Sequence, residues 1–368
     1  MPVPLVDLSA EYRVCREAID ANLRAVIERT AFIGGEMVRA FEEEMAARQE
    51  VDGAVSVGSG TAALALALRA LGVEKGAEVV TTPCTAAPTA EAVTLAGGRV
   101  VFADIRPGTC HLDPARAEEA VTPRTRALLL VHLYGIPCAM EPFADLARRH
   151  GLALLEDCAQ AQGARYRGVR AGNFGDAACF SFFPSKTLGA FGDGGAATAR
   201  DPAVLERVRC LANHGRAGKH VHVLEGVNSR LDGIQAAVLR AKLAHLDARN
   251  ALRRRAAGWY FEELGGVRGL ALPSAPAEAE PVWHLFPVRV EDRDGLAKAL
   301  QAQGIETGIH YARALHLQPA YAYLGRGAGS FPEAEAAFRE ELSLPIFPSI
   351  TRAQVAEVAR AVRVHIGS

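Results

Sequence analysis

Short β-branched runs alternate with alanine-rich segments over more than a third of the chain, from about residue 54 to residue 199. The runs are AVSV, AEVVTT, RVVFADI, RALLLVHL, LALLED, AACFSFF and GAATA, and the segments between them include GTAALALALRAL, TAEAVTLAG and MEPFADLARRHG. Alternation of this kind is typical of a mostly parallel sheet covered by helices on both faces. The sequence therefore predicts an α/β fold whose ligand lies at the carboxyl ends of the strands.

The pattern changes in the last third of the chain. A helical segment from about Leu231 to Leu264 reads as a connector between two lobes. Beyond it, PVWHLFPVRV is a candidate strand, and DGLAKALQAQG, EAEAAFREEL and TRAQVAEVARAVR are candidate helices. We therefore expect a large domain over residues 1–250, with an N-terminal helical segment, and a smaller C-terminal α/β domain over residues 251–368.

The charge balance and the apolar runs limit the classes of partner. The chain has 41 Lys and Arg residues against 42 Asp and Glu residues, so no basic excess points to nucleic acid. The opening MPVPLVDLSAEYRVCREAID lacks a signal-peptide core, and the apolar run AALALALRAL is interrupted by Arg69. We expect a cytoplasmic protein that binds neither nucleic acid nor membrane.

Seven cysteines stand apart in the sequence, without a C-x-x-C motif or a paired Cys/His spacing. In a chain of this size they are expected to be small buried hydrophobic residues in a reducing compartment. We expect no metal site.

Lys186 lies in the stretch FSFFPSKTLGAFGDGG, between an aromatic-rich run and a run of glycines. An exposed, chemically silent lysine is the ordinary interpretation. A second one comes from EDCAQAQGA, where a strand ends in Asp157 and Gln160 follows three residues later. A carboxylate in that position can pair with a ring N–H group, or it can cap the next turn. The residues leave both interpretations open.

The stretch GSGT, Gly58–Thr61, connects a predicted strand to a predicted helix. Free N–H groups at a helix start can hold a phosphate, although a plain turn explains the stretch equally well. It lacks the lysine of a P-loop and the third glycine of a dinucleotide fingerprint. Together with the hydroxyl of Ser181, the amine of Lys186 and the carboxylate of Asp157, it suits pyridoxal 5'-phosphate held as a Schiff base.

Four stretches, in their order and spacing, carry a resemblance to a known family: EDCAQAQGA, FSFFPSKTLGAFGDGG, GVNSRLDGIQAAVL and HYARALHLQPAY. From about Leu5 to the C-terminus the chain resembles the DegT/DnrJ/EryC1/StrS sugar aminotransferases, which use pyridoxal phosphate and have the aspartate-aminotransferase type I fold. The resemblance implies amino transfer, from L-glutamate, to a 3-oxo or 4-oxo sugar linked to a nucleotide, in amino-sugar biosynthesis.

The resemblance also implies roles for individual residues. Lys186 would bind the cofactor covalently and move protons, Asp157 would pair with the pyridine nitrogen, and Gln160 would contact the ring hydroxyl. The cofactor phosphate would be held by Gly60, Thr61, Ser181 and, from the partner subunit of a homodimer, Asn228. Tyr311 and His316 match positions that line the sugar pocket.

One position departs from the family pattern: Ala86 stands where an aromatic residue commonly stacks on the cofactor ring. His132 and Tyr134, in VHLYG, either help to cover that ring or belong to the core.

A nucleoside diphosphate also needs cations. The candidates are Lys219, Arg230 and Arg313, each of which can equally be an ordinary surface charge.

Competing functions remain. A dehydratase branch of the family has histidine in place of the cofactor-binding lysine, so Lys186 argues against it. A cofactor-binding regulator without turnover is expected to have lost members of the set that this chain keeps. Amination of a cyclitol ketone is not excluded by the sequence.

Overall fold

A computed structural model describes residues 2–367. Helices α1 to α8 are Leu8–Glu28, Gly35–Gln49, Gly60–Ala70, Ala87–Leu95, Pro114–Glu119, Glu141–His150, Pro202–Ala212 and Gly233–Leu243. Strands β1 to β9 are Ala54–Val57, Glu78–Thr81, Arg99–Phe102, Thr125–Val131, Ala153–Asp157, Arg165–Tyr166, Val169–Arg170, Ala177–Ser181 and Gly195–Ala199. Helices α9 to α12 are Leu246–Leu264, Arg293–Ala302, Pro332–Glu340 and Arg352–Gly367, and strands β10 to β12 are Ala279–Glu280, Phe286–Arg289 and Glu341–Leu344. Short 3-10 helices are Leu133–Gly135, Leu315–Leu317 and Pro319–Leu324.

The main sheet has seven strands in the order β1-β9-β8-β5-β4-β2-β3. Strand β9 runs antiparallel to both β1 and β8, and the other neighbours are parallel. The strands are apolar on both faces; Leu128, Leu129 and Leu130 of β4, for example, are fully buried. A sheet with helices on both faces requires this composition. The predicted α/β fold with a mostly parallel sheet is confirmed.

The segment from Leu231 to Leu264 is helical as predicted, but it consists of two helices. Helix α8 ends at Leu243, and α9 begins at Leu246. Helix α8 packs against α1 and α2, whereas α9 packs against α12. Because of the break, each helix buries its apolar face against different helices. The predicted domain boundary after residue 250 falls inside α9 and stays a prediction.

The stretch EAEAAFREEL is also only partly helical. Helix α11 ends at Glu340, and Glu341 begins β12, which pairs antiparallel with β11. The four residues of β12 are all buried. Pairing with a buried partner strand here outweighs the helical spacing of the sequence.

All seven cysteines are free thiols, and five are buried; Cys110 and Cys210 are half-buried. Within residues 2–367, no helix combines the length and the apolarity needed to cross a membrane.

Candidate active site

A cavity of about 480 Å³ opens where β4, β5 and β8 end. We call it the central cavity. Eight of the residues predicted from the sequence line it: Gly60, Thr61, Ala86, Asp157, Gln160, Ser181, Lys186 and Tyr311. Residues far apart in the chain therefore meet at the carboxyl edge of the sheet, where open α/β sheets bind ligands.

Asp157 and Lys186 are charged residues that line this cavity, together with Asp193. Asp157 Oδ1 accepts the N–H of Ala159 at 3.1 Å, and Oδ2 accepts the hydroxyl of Thr89 at 2.9 Å. Burial raises the pKa of Asp157, although these two donors and the lysine oppose the shift.

The amine of Lys186 is held without a direct partner: within residues 2–367, no atom hydrogen-bonds or ion-pairs with its Nζ. Burial lowers the pKa of Lys186 to about 8, against the attraction of Asp157. The neutral form of the amine is therefore more populated near neutral pH than in an exposed lysine, and a neutral amine is a nucleophile and a base.

The start of helix α3 has the features of an anion-binding site. Ser59 caps the helix by accepting the N–H of Ala62 at 3.1 Å, and no acceptor within residues 2–367 takes the N–H of Gly60 or Thr61. A Cβ atom on Gly60 would lie 2.7 Å from Cβ of Ser181. Only glycine allows this close approach, which brings the serine beside the free N–H groups.

Gln160 is held in a fixed orientation. Its Oε1 accepts the N–H of Tyr134 at 2.6 Å, and its Nε2 donates to the hydroxyl of Tyr311 at 3.3 Å. Burial raises the pKa of Tyr311 to about 12, so this phenol stays protonated.

Tyr134 and His132 belong to the core and do not line the central cavity. The hydroxyl of Tyr134 donates to the carbonyl of His310. Nδ1 of His132 accepts the N–H of Cys138 at 3.0 Å, so the proton of a neutral ring is on Nε2, 2.9 Å from Glu156 Oε2. Of the two interpretations, the structure supports the core one. Ala86 lies at the cavity wall, directly before α4.

Glu156 is buried, does not line the central cavity and accepts several hydrogen bonds. Its Oε1 accepts the N–H groups of Phe174 and Gly175 at 2.8 and 2.7 Å, and its Oε2 also accepts the N–H of Gly172. Atoms of His132, Glu156 and Cys158 that could ligate a metal lie within 4.8 Å of one another. Because the carboxylate oxygens already have donors, hydrogen bonding accounts for this cluster.

His316, which the resemblance places at the sugar pocket, lies outside the wall of the central cavity. It is buried in the C-terminal part, with Nε2 2.9 Å from Glu335 Oε1 and its ring edge-on to Phe331. It is not among the residues that line the central cavity. A hydrogen bond to Glu335 and an aromatic contact with Phe331 hold its ring, and a role of His316 in binding the sugar stays a prediction.

Asn228 and Lys219 are exposed on the segment 213–230, and neither lines the central cavity of its own chain. Arg230 is half-buried, donates to Asn213 Oδ1 at 3.0 Å, and has a buried Nε atom without a partner among the described residues. Binding of the partner's cofactor phosphate by Asn228 stays a prediction.

Arg313 is exposed in a second depression of about 710 Å³. This outer groove shares Thr85 and Tyr311 with the central cavity and also contains Tyr321 and Tyr323. The two depressions therefore adjoin at Thr85 and Tyr311.

Sequence reasoning missed two histidines of the cavity wall, His284 and His310. Burial lowers the pKa of both, and Lys186 adds to the effect. A signal was present for His310, which directly precedes Tyr311 in HYARALH.

Comparison with known proteins agrees with this geometry. The model of the DegT/DnrJ/EryC1/StrS aminotransferase family matches residues 14–363, and the chain belongs to this family.

The chain is 47% identical over 361 residues to the dTDP-3-amino-3,4,6-trideoxy-alpha-D-glucose transaminase of Streptomyces venezuelae, covering 98% of this chain and 95% of that protein. It is 43% identical over 361 residues to the UDP-N-acetyl-3-dehydro-alpha-D-glucosamine 3-aminotransferase of Acidithiobacillus ferrooxidans, covering 98% and 97%. Among solved structures, that of S. venezuelae DesV in complex with a ketimine intermediate superposes with a TM-score of 0.98 at 47% identity, covering 100% of this chain and 99% of that one. The predicted family and fold are confirmed, and the protein is an aminotransferase.

Proposed function

We propose that the protein transfers an amino group from L-glutamate to the 3-oxo group of a nucleotide-linked sugar, with pyridoxal 5'-phosphate as cofactor. The observation that carries the proposal is the partnerless amine of Lys186, which shares a cavity with the buried carboxylate of Asp157.

The residues of the central cavity fit this cofactor. The N–H groups of Gly60 and Thr61, with the hydroxyl of Ser181, would hold its phosphate. Asp157 would accept the ring N–H, and a cationic ring nitrogen would in turn favour the ionised carboxylate. When bound, the cofactor supplies an electron sink for the breaking bond at the donor's α-carbon.

Lys186 has two roles in this proposal. Its neutral amine would attach the cofactor, and as a free amine it would act as the base at the α-carbon of glutamate and as the acid at the sugar carbon. The lowered pKa of Lys186 suits both uptake and release of a proton, because a base that titrates near the working pH can do both. Thr89 and the N–H of Ala159 hold Asp157 in one orientation throughout.

The nucleotide end of the substrate would leave the central cavity past Tyr311. Arg313 in the outer groove offers a cation on one side, and the partner's Lys219 and the partner's Asn228 would approach from the other in a homodimer. A charged diphosphate would then make contacts that a free sugar lacks, and these contacts orient the reacting carbonyl.

The relatives support amination at carbon 3. The names of both relatives place the amino group or the ketone at carbon 3. We therefore favour a 3-oxo over a 4-oxo substrate.

The test loads the purified protein with pyridoxal phosphate and L-glutamate, and then offers 3-oxo and 4-oxo sugars on dTDP and on UDP, together with a free cyclitol ketone. Mass spectrometry follows the aminated product. Preference for a nucleotide-linked 3-oxo sugar supports the proposal. Equal or better turnover of the cyclitol ketone would replace it with the cyclitol function.

A further inference from the structure

Strand β12, in the C-terminal part of the chain, carries two buried polar residues. Glu341 and Ser343 are almost fully buried, at 1% and 0% exposure. They are two positions apart, so their side chains leave the strand on the same face. A buried carboxyl group is costly unless donors surround it, which makes its hydrogen bonds informative.

The partner of both residues is His310, in the wall of the central cavity. The hydroxyl of Ser343 donates to Glu341 Oε1 at 2.5 Å, and the backbone N–H of His310 donates to Glu341 Oε2 at 2.6 Å. Nδ1 of His310 lies 2.9 Å from Oγ of Ser343. A continuous chain of hydrogen bonds therefore runs from the carboxylate through the hydroxyl to the imidazole.

The direction of these bonds fixes the tautomer of the ring. A serine hydroxyl has one hydrogen, and here the carboxylate accepts it, so Oγ can only accept from His310. Nδ1 therefore carries the proton. Burial and the nearby Lys186 lower the pKa of His310 to about 4, so the ring is neutral and Nε2 has a free lone pair. Within residues 2–367, no donor reaches Nε2.

We propose that Glu341 and Ser343 are positioning residues that hold His310 in the Nδ1–H tautomer, so that its Nε2 accepts a hydrogen bond from a hydroxyl group of the keto sugar. This inference rests on the proposed function. It assigns the two residues no contact with substrate, because both act through the imidazole. The sugar hydroxyl is the matching group, since a ketone oxygen cannot donate to a lone pair.

The arrangement also depends on the charge of Glu341. Burial raises its pKa to about 7, opposed by Ser343, the N–H of His310 and Arg293. Above that value the carboxylate accepts from Ser343; below it, the carboxyl group donates, and the hydroxyl turns toward Nδ1 and reverses the tautomer. Other titratable or charged groups around the carboxyl are Cys84, Cys110, His111, Tyr134, Arg289 and Tyr311.

The direct test is nitrogen NMR of the full-length holoenzyme with 15N-labelled histidine, in which the signal of His310 is assigned by its loss in His310→Gln. At pH 8.5 the wild type is expected to show a protonated Nδ1. Glu341→Gln keeps the shape but can donate its amide hydrogen to Ser343, which is expected to move the proton to Nε2. Glu335→Gln is the matched control, because Glu335 pairs with a different histidine, His316.

The kinetic test separates the two half-reactions by stopped-flow spectroscopy. Glu341→Gln and Ser343→Ala are expected to slow the keto-sugar half-reaction about tenfold or more, while the glutamate half-reaction changes less than about threefold. Ser343→Thr retains a hydroxyl and is expected to recover most of the loss. Circular dichroism and thermal melting check that the variants are folded.

Two results would overturn the inference: an unchanged tautomer in Glu341→Gln, or equal slowing of both half-reactions in folded variants. The proposed function fails in a different way. If the wild type aminates no nucleotide-linked keto sugar, the function is wrong, whereas the NMR assignment of the tautomer is unaffected.

Discussion

The central cavity and the exposed segment 213–230 both carry polar residues, but these residues differ in burial and in hydrogen bonding. We call the part of the cavity formed by Asp157, Gln160 and Lys186 its floor. On the floor, Asp157 and Gln160 are buried and are held by donors and acceptors of their own chain. On the segment, Lys219 and Asn228 are exposed, and neither lines the central cavity of its own chain. The difference is consistent with the proposed function, in which one chain would supply the groups for the chemistry and a second chain would complete substrate and phosphate binding.

The largest loss of turnover is expected from a substitution on the floor of the central cavity. If the proposed function holds, Lys186→Ala removes the amine that would attach the cofactor and move protons, so turnover should fall by about a thousandfold or more. The fold should remain, because no hydrogen bond or ion pair of Nζ is lost. Turnover is measured with L-glutamate and the preferred keto sugar, and Lys298→Ala, at an exposed lysine, is the control. Near wild-type turnover in Lys186→Ala would rule out the assignment.

The second largest loss of turnover is expected for Asp157→Asn. The amide keeps the size of the side chain but cannot stabilise a protonated ring nitrogen by charge, so kcat should fall by about ten- to a hundredfold. Asp52→Asn, at an exposed carboxylate, should leave kcat unchanged. A loss smaller than about threefold, which is under about 1 kcal/mol of barrier, would count against the role of Asp157.

The contrast between floor and segment can be tested directly by mixing subunits. If the partner's Asn228 completes each site, Lys186→Ala and Asn228→Ala chains are each inactive or weak alone. A mixed dimer has one intact site and one doubly altered site, so random exchange should restore about a quarter of the wild-type sites. Mass spectrometry confirms the exchange. Confirmed exchange without recovery of activity would mean that sites are not shared.

The smallest effects concern the diphosphate. Lys219→Ala and Arg313→Ala should raise KM for the nucleotide-linked sugar by about three- to tenfold, while kcat changes little, because the lost contacts lie away from the reacting carbon. Arg326→Ala is the matched control, since Arg326 is exposed nearby but lies outside the outer groove. If kcat falls and KM does not, these cations do not bind the diphosphate.

The floor of the cavity could be predicted from the sequence because its residues follow strands in short motifs. Asp157 ends β5 and Ser181 ends β8, so the topology of the sheet brings them together.

Features that depend on tertiary pairing could not be predicted. Glu341 continues the helical spacing of α11, and only its pairing with β11 shows that it begins a strand. His316 has the right motif, but Glu335 and Phe331 decide where its ring lies.

The adjacency of Glu156 and Asp157 has a consequence for how the gene can change. Successive strand residues face opposite sides, so one carboxylate anchors the loop at Gly172 to Gly175 and the other faces the cavity. Deleting or inserting a single codon in β5 would exchange the two positions, leaving the anchor in the cavity and the pairing carboxylate among backbone N–H groups. An in-frame insertion scan should therefore find β5 intolerant, whereas the exposed turn at Arg167 and Gly168, between β6 and β7, should accept extra residues.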